Sequence, residues 1–157
     1  MYEKIDALNQ VAEFHRTFQH PVLEKPEIPD ATRCKLRVNL LAEELKELEE
    51  AIVDGDLTEI ADALCDLQYV LSGAVLEFGL AGKFVDLFNE VQRSNMSKAC
   101  SSREEAEATV AHYAQTKGEA CYIREMDGLF LVFREGDNKT MKSVGYSPAD
   151  LNKILQK

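Results

Sequence analysis

The segment EELKELEEAIVDGDLTEIADALCD, residues 43–66, contains the strongest helical pattern of the chain. Apolar residues recur at helical spacing on both sides of DGD, residues 54–56, which predicts two helices separated by a tight turn. A connection this short makes the two helices antiparallel neighbours. The residues expected in the buried stripes are Leu41, Leu45, Leu48 and Ile52 on the first helix, and Ile60, Leu64, Leu67, Leu71, Ala74 and Phe78 on the second.

The same stretch contains ten acidic residues and a single lysine. Glu44 and Glu47 are one turn apart on the first helix, and Glu59, Asp62 and Asp66 lie on one side of the second. Two carboxylates ~4 Å apart repel by several kcal/mol at an effective dielectric constant of about 20. A hard divalent cation, magnesium above all, would offset that repulsion, because such cations prefer oxygen ligands. The alternative is a solvated acidic face, and the spacing alone does not decide between the two.

Length and composition are those of a folded protein. The 157 residues are 45% hydrophobic and 29% charged, which argues against disorder. The net charge of −10 argues against nucleic acid as the main partner, since phosphate backbones are bound by basic surfaces. The four cysteines form no C-x-x-C pair, so neither a zinc site nor a disulfide framework is predicted. No signal peptide or membrane-spanning segment is predicted, and we expect a cytoplasmic protein that binds no membrane.

Four helices are predicted in the first part of the chain, over residues 2–18, 33–53, 57–78 and 83–98. We therefore expect a mainly α fold in which residues 1–100 form a four-helix bundle. The sequence also predicts the surroundings of two further residues in that bundle. Gly73, two turns past the last acid, is expected to leave room for a ligand. His15 is expected to be a partly exposed helix residue, with the lining of a base pocket as the alternative.

The tail, residues 101–157, has a different sequence pattern, because much of it alternates and is rich in β-forming residues. It is predicted to be an extension packed on the helical domain. It begins with a helix that Ser102 caps and that Gly118 follows. A small β-hairpin or meander comes next, with Asp-Gly at positions 127–128 as its two-residue turn. A short terminal helix is predicted to begin with Ser147 as its N-cap.

The sequences LLAEELKELEEAI and LTEIADALCDLQYV together resemble the E-x-x-E…E-x-x-D signature of the all-α nucleoside triphosphate pyrophosphohydrolases. These are the MazG-like and phosphoribosyl-ATP pyrophosphohydrolase-like proteins. VQRSNMSK, residues 91–98, is similar to the segment in which that family places an Asn and a Lys near the substrate phosphates. The resemblance covers roughly residues 1–98. The gap between the two motifs is short for the family, and the tail beyond Cys100 is absent from its minimal domain.

The resemblance implies a role for each matching residue. The implied metal ligands, for Mg²⁺ with Mn²⁺ as the alternative, are Glu44, Glu47, Glu59, Asp62 and Asp66. Asp66 is the candidate for a second metal ion, or an exposed acid at a helix interface. The implied substrate-binding residues are Arg37, Asn95 and Lys98, of which the last two match the family segment. Glu44 or Glu47 would be catalytic by positioning the attacking water.

The implied reaction is hydrolysis between the α- and β-phosphates of a nucleoside triphosphate, which releases the monophosphate and pyrophosphate. Phosphoribosyl-ATP is an alternative substrate. A non-enzymatic acidic helical module that dimerises through its leucine stripes is an alternative of a different class. A four-helix chain of this size cannot enclose a nucleotide alone, so a homodimer or homotetramer is expected.

Overall fold

The computed structural model describes residues 2–156, which form two compact units. The first unit ends at Val85 and the second begins at Asp86. The chain is mainly helical and contains a small antiparallel hairpin, which confirms the predicted fold class at this level. The four-helix bundle and the domain boundary after residue 100 stay predictions. None of the helices in the described part of the chain combines the length and apolarity that crossing a membrane requires.

The first unit contains three α-helices and a 3₁₀ turn. They are α1 (Ala7–Thr17), α2 (Ala31–Asp54), α3 (Leu57–Glu77) and the turn Ala81–Lys83. α2 begins where the side chain of Asp30 accepts hydrogen bonds from two backbone N–H groups of the first turn. It ends at Gly55, whose φ of 69° is the left-handed conformation that glycine adopts readily. Asp56 then caps α3 in the same way as Asp30 caps α2. The predicted tight turn is therefore confirmed.

α2 packs along α3, and α1 packs on α3 as well. The least exposed positions recur every three or four residues on both long helices. On α2 they include Arg33, Arg37, Glu44, Leu48 and Ala51, and on α3 they include Ala63, Asp66, Val70, Gly73 and Glu77. Contacts join early α2 to late α3 and the middle of α2 to the middle of α3, as antiparallel helices require. Small and charged residues thus form much of this contact.

The predicted leucine stripes are only partly right. Half-buried members of the stripes are Leu41, Leu48, Ile60, Leu67, Ala74 and Phe78. Exposed members are Leu45, Ile52, Leu64 and Leu71. Alanine and glycine at the centre of the contact let the helices approach each other, so the larger leucines lie at its flanks. Leu45 and Ile52 keep 50% and 58% of their surface exposed.

The second unit is built on a helix and a hairpin. The helix α4 (Phe84–Met96) comes first. The elements after it are α5 (Arg103–Lys117), β1 (Cys121–Met126), β2 (Leu129–Arg134) and α6 (Asn152–Leu155). Its core consists of Cys100, Ala106, Tyr113, Val132 and Met141. Ser102 and Gly118 bound α5 as predicted, with the Ser102 side chain accepting from a backbone N–H and Gly118 at φ 63°.

The predicted hairpin is confirmed in its register and its turn. Met126 pairs with Leu129, so that Asp127 and Gly128 alone form the turn. Both turn residues have positive φ, 53° and 77°, which is the type I′ geometry. Beyond the hairpin, β2 forms two isolated bridges in the described chain, Phe133 with Thr140 and Phe130 with Cys100, so the predicted meander is limited to these.

The predicted start of the terminal helix is wrong. α6 begins at Asn152, and Ser147 is not its cap. The backbone N–H of Ser147 donates to Ser97 Oγ at 3.0 Å, and the carbonyl of Pro148 accepts from Arg93 Nη2 at 3.1 Å. Side chains of α4 and of the residue just after it therefore hold this segment, and the helix forms only after it.

Candidate functional site

The predicted metal ligands lie on the two long helices of the first unit. Glu44 is half-buried on the face of α2 that contacts α3, and Asp66 is half-buried on the facing side of α3. Glu47, Glu59 and Asp62 are exposed. Glu59 lies in the first turn of α3, and its backbone N–H donates to the capping carboxylate.

Glu44 is the carboxylate whose charged form is disfavoured by the packing of α2 on α3. Desolvation raises its pKa, and the charges of Asp66, Glu47, Glu43 and Asp62 raise it further. Its Oε2 atom is buried and has no hydrogen-bond partner among the described residues. A buried carboxylate oxygen without a partner is costly. We call Glu44, Glu47, Asp62 and Asp66 the acidic cluster, since their charges act on one another across the helix pair.

The donor set of the acidic cluster suits a hard divalent cation. Over residues 2–156, no three His, Cys, Asp or Glu side chains are already grouped as a metal site. Carboxylate oxygens are nevertheless the ligands that magnesium prefers, and Glu44 Oε2 lacks any other partner. Glu47 and Asp62 are exposed, so their side chains can turn toward a cation without breaking the helix contact. The roles of all five predicted metal ligands stay predictions.

Arg37, a predicted substrate-binding residue, is buried in an ion pair with Glu77. Glu77 is fully buried and is paired with Arg33 as well, whose Nε lies 3.1 Å from Glu77 Oε2. Burial alone would raise the pKa of Glu77, but the hydrogen bonds from Arg37 and Arg33 outweigh it and lower the pKa. The sequence interpretation missed this cluster. Its signal was an acid inside an apolar helix, facing two arginines one turn apart on the antiparallel neighbour.

The space beside Gly73 is filled by the protein itself, so the expectation of room for a ligand there is wrong. A Cβ atom at position 73 would lie 2.7 Å from Arg37 Nη1 and 3.0 Å from His15 Nε2. His15 is 2% exposed, so the expectation of a partly exposed histidine is also wrong. Its Nδ1 donates to the carbonyl of Pro21 at 2.8 Å. The Nε2 lone pair then faces Arg37, and burial lowers the pKa of His15.

Asn95 and Lys98, the other predicted substrate-binding residues, contact each other at the end of α4. Lys98 Nζ donates to Asn95 Oδ1 at 2.8 Å. Asn95 is exposed and Lys98 is half-buried. Both belong to the second unit, and their contact with a substrate stays a prediction.

Comparison with known proteins adds a family and one relative. The model of the family described as "Phosphoribosyl-ATP pyrophosphohydrolase" matches residues 11–95, more than half of the chain. The matched region contains every predicted metal ligand. Over 82 residues, the chain is 39% identical to "Uncharacterized protein L479" of Acanthamoeba polyphaga mimivirus, which covers 50% of this chain and 33% of that protein. The matching part therefore spans about a third of the length of that relative.

Proposed function

The chain belongs to the phosphoribosyl-ATP pyrophosphohydrolase family, and we propose that it hydrolyses the bond between the α- and β-phosphates of a nucleoside triphosphate with the help of Mg²⁺. Family membership supports a hydrolase of the nucleotide pyrophosphohydrolase type. Members of the family commonly use divalent metals. The observation that carries the proposal is Glu44 Oε2, a buried carboxylate oxygen with no partner in the described chain and other acids around it.

The acidic cluster would hold the metal ion, with Glu59 as a further ligand from the first turn of α3. Glu44 and Asp66 lie on facing sides of the helix pair, so a cation between the helices would relieve the repulsion between them. When bound, Mg²⁺ neutralises negative charge on phosphate oxygens as the bond is cleaved, and Mn²⁺ can supply the same chemistry.

Glu47 is the better candidate to position the attacking water. Helix packing holds Glu44 half-buried and leaves it little freedom, whereas Glu47 is exposed one turn further along α2. A carboxylate at this place can accept a proton while the water oxygen forms its bond to phosphorus. The phosphoanhydride bond then breaks, and pyrophosphate leaves with the electron pair.

Lys98 and Asn95 would contact phosphate oxygens from the end of α4. Lys98 uses one N–H for Asn95 and keeps two others for an anion. Arg37 is the weaker candidate, because its guanidinium group is buried against Glu77 and would have to leave that pair to reach a phosphate. Its main contribution is to the contact between α2 and α3.

A homodimer or homotetramer is part of the proposal. Leu45, Ile52, Leu64 and Leu71 are exposed on the two helices that carry the acidic cluster. Burial of apolar surface stabilises association by roughly 25 cal/mol per Å². Light scattering coupled to gel filtration measures the state directly, and a monomer at micromolar concentration would contradict this part.

The test is release of pyrophosphate from a panel of nucleoside triphosphates in the presence of Mg²⁺. We expect Glu44→Gln and Glu47→Gln each to lower kcat/KM by about a hundredfold or more, as loss of about 2.7 kcal/mol of transition-state stabilisation would. Glu49→Gln is the matched control, because Glu49 is an exposed acid of the same helix. Undiminished activity in both cluster variants would refute the proposal.

Phosphoribosyl-ATP belongs in the same panel, since the description of the matching family names it. A kcat/KM for phosphoribosyl-ATP well above that for every nucleoside triphosphate would assign it as the substrate. A non-enzymatic helical module would release pyrophosphate from neither. It would also show no change in Tm when nucleotides and Mg²⁺ are added together.

A further inference from the structure

The second unit contains a basic pocket beyond the residues that the family model matches. The cavity has a volume of about 310 Å³. Its charged lining consists of four lysines, Arg134 and one acid, Glu119. The lysines are Lys98, Lys117, Lys139 and Lys142. The chain as a whole has a net charge of −10, so its composition does not account for this accumulation of positive charge.

Among the described residues, the lysines are not neutralised by direct ion pairs, although the charge of Lys139 acts on Asp137 and lowers the pKa of that carboxyl. In the described part of the chain, none of the four forms an ion pair with an acid. Arg134 differs, because it is paired with Glu119 at 2.9 Å and with Asp137 at 2.6 Å. Lys117 instead lies 5.4 Å from the centre of the Tyr113 ring. The lysines therefore repel one another around the hollow unless an anion enters it.

Two of the lysines act on the same hydroxyl group, which shows how closely the charges are grouped. Lys142 Nζ lies 4.4 Å from the centre of the Tyr146 ring. A hydrogen bond with Ser94 lowers the pKa of Tyr146, and the charges of Lys142 and Lys98 lower it further.

The pocket also contains an acceptor that has no partner. Glu119 Oε1 accepts from Arg134, whereas Glu119 Oε2 is buried and has no hydrogen-bond partner within residues 2–156. Most buried polar atoms in folded proteins are paired. Glu119 is therefore paired with Arg134 and, within residues 2–156, with none of the four lysines.

We infer that the basic pocket binds the phosphate group of a small phosphorylated molecule. Ammonium groups bind phosphate as point charges, and several of them around one hollow suit an anion of more than one negative charge. The volume holds about ten water molecules at ~30 Å³ each, which fits a small ligand better than a polymer. The site lies apart from the acidic cluster in sequence and requires no metal. It goes beyond the proposed hydrolysis, since Lys98 alone among its five basic residues is also a proposed contact for the substrate phosphates.

Calorimetric titration of the whole protein in EDTA tests this inference. The probes are pyrophosphate, a nucleoside triphosphate and the corresponding nucleoside. We expect both phosphorylated probes to bind, with affinity that falls as salt is added, and the nucleoside not to bind. Tighter binding of the triphosphate than of pyrophosphate would assign the site to a nucleotide, and the reverse order to an inorganic anion.

The variant Lys117→Gln with Lys142→Gln should weaken binding of either phosphorylated probe by about tenfold, as loss of two charge contacts would. Both lysines are exposed, so the unit should fold without them. Lys153→Gln is the control, since it removes one positive charge from the same unit outside the pocket, against two in the double variant. Glu44→Gln should bind like the unaltered protein. This measurement distinguishes binding in the pocket from binding at the proposed metal site.

Three results would overturn the inference. The first is the absence of binding by every phosphorylated probe at millimolar concentration. The second is an equal loss of affinity in the Lys153→Gln control. The third is tighter binding of an RNA or DNA oligonucleotide than of the small anions, because the ligand would then be a nucleic acid.

Discussion

The contact between α2 and α3 contains a fully buried carboxylate at one end and a half-buried carboxylate at its middle, and the protein surrounds the two with charges of opposite sign. Glu77 at one end is paired with two arginines, and its pKa is lowered. Glu44, further along α2, faces other acids, and its pKa is raised. The helix pair therefore neutralises the charge of Glu77 with its own arginines, whereas the charge of Glu44 is left for an external partner to neutralise.

The difference separates what the fold needs from what the proposed function needs. Glu77 with its arginines stabilises the helix pair at neutral pH, because the charged form is the favoured one. Glu44 destabilises the pair at neutral pH, because the folded state favours its protonated form. A residue that lowers stability at working pH is often retained for a functional reason.

The largest expected effect is that of Glu77→Ala. Removing one member of a buried ion pair leaves the arginines uncompensated, and we expect a loss of about 3–5 kcal/mol in the free energy of unfolding. Urea denaturation monitored by circular dichroism measures it. Glu49→Ala on the exposed side of α2 should change the free energy by less than about 0.5 kcal/mol. A loss below about 1 kcal/mol for Glu77→Ala would show that the pair contributes little.

Magnesium should stabilise the protein at the middle of the contact, beside Glu44. At a hundred times its Kd, a bound metal adds about 2.7 kcal/mol to the free energy of unfolding. Glu44→Gln should abolish this gain and, in EDTA, should be more stable than the unaltered protein by roughly 1 kcal/mol, because a repelled charge is gone. Thermal melting with and without Mg²⁺ provides both measurements. Equal stabilisation of the two proteins by Mg²⁺ would place the cation elsewhere.

The smallest expected effect is the pH dependence that His15 contributes. Its pKa is lowered in the folded protein, so the unfolded chain binds the proton more tightly. The contribution of His15 is therefore complete above pH 6.5 and is lost as pH falls below that value. The contribution of Glu77 has the same sign but is lost only below pH 4.5. Urea denaturation from pH 7.5 to 5 should show a shallower decline for His15→Gln than for the unaltered protein.

Local sequence signals were sufficient for much of the fold. The Gly55 turn, the Ser102 cap and the Asp127-Gly128 hairpin depend on residues within a few positions of one another, and each is present in the structure. The mainly helical class follows from apolar spacing in the same way. The predicted start of the terminal helix was wrong, because the side chain of Ser97, 50 residues earlier, holds the backbone of Ser147.

The candidate site was less accessible from sequence. The spacing and the family resemblance identify the acids. Whether each carboxylate favours its charged or its protonated form depends on the residues that the other helix places opposite it. Glu77 and its arginines are 40 and 44 residues apart, and no local pattern links them. The buried positions also differ from the predicted leucine stripes because of contacts between the two helices. Ala51, Ala63 and Gly73 let the helices approach each other where leucines were expected.

Gly73 has a further consequence for how the protein can vary. Its single hydrogen leaves the space in which the ends of Arg37 and His15 meet, and a methyl group would have to displace one of them. Displacing Arg37 would weaken one of the two ion pairs of the fully buried Glu77. An exchange to alanine at position 73 would therefore act on the charge balance between the helices, although it alters no charge itself.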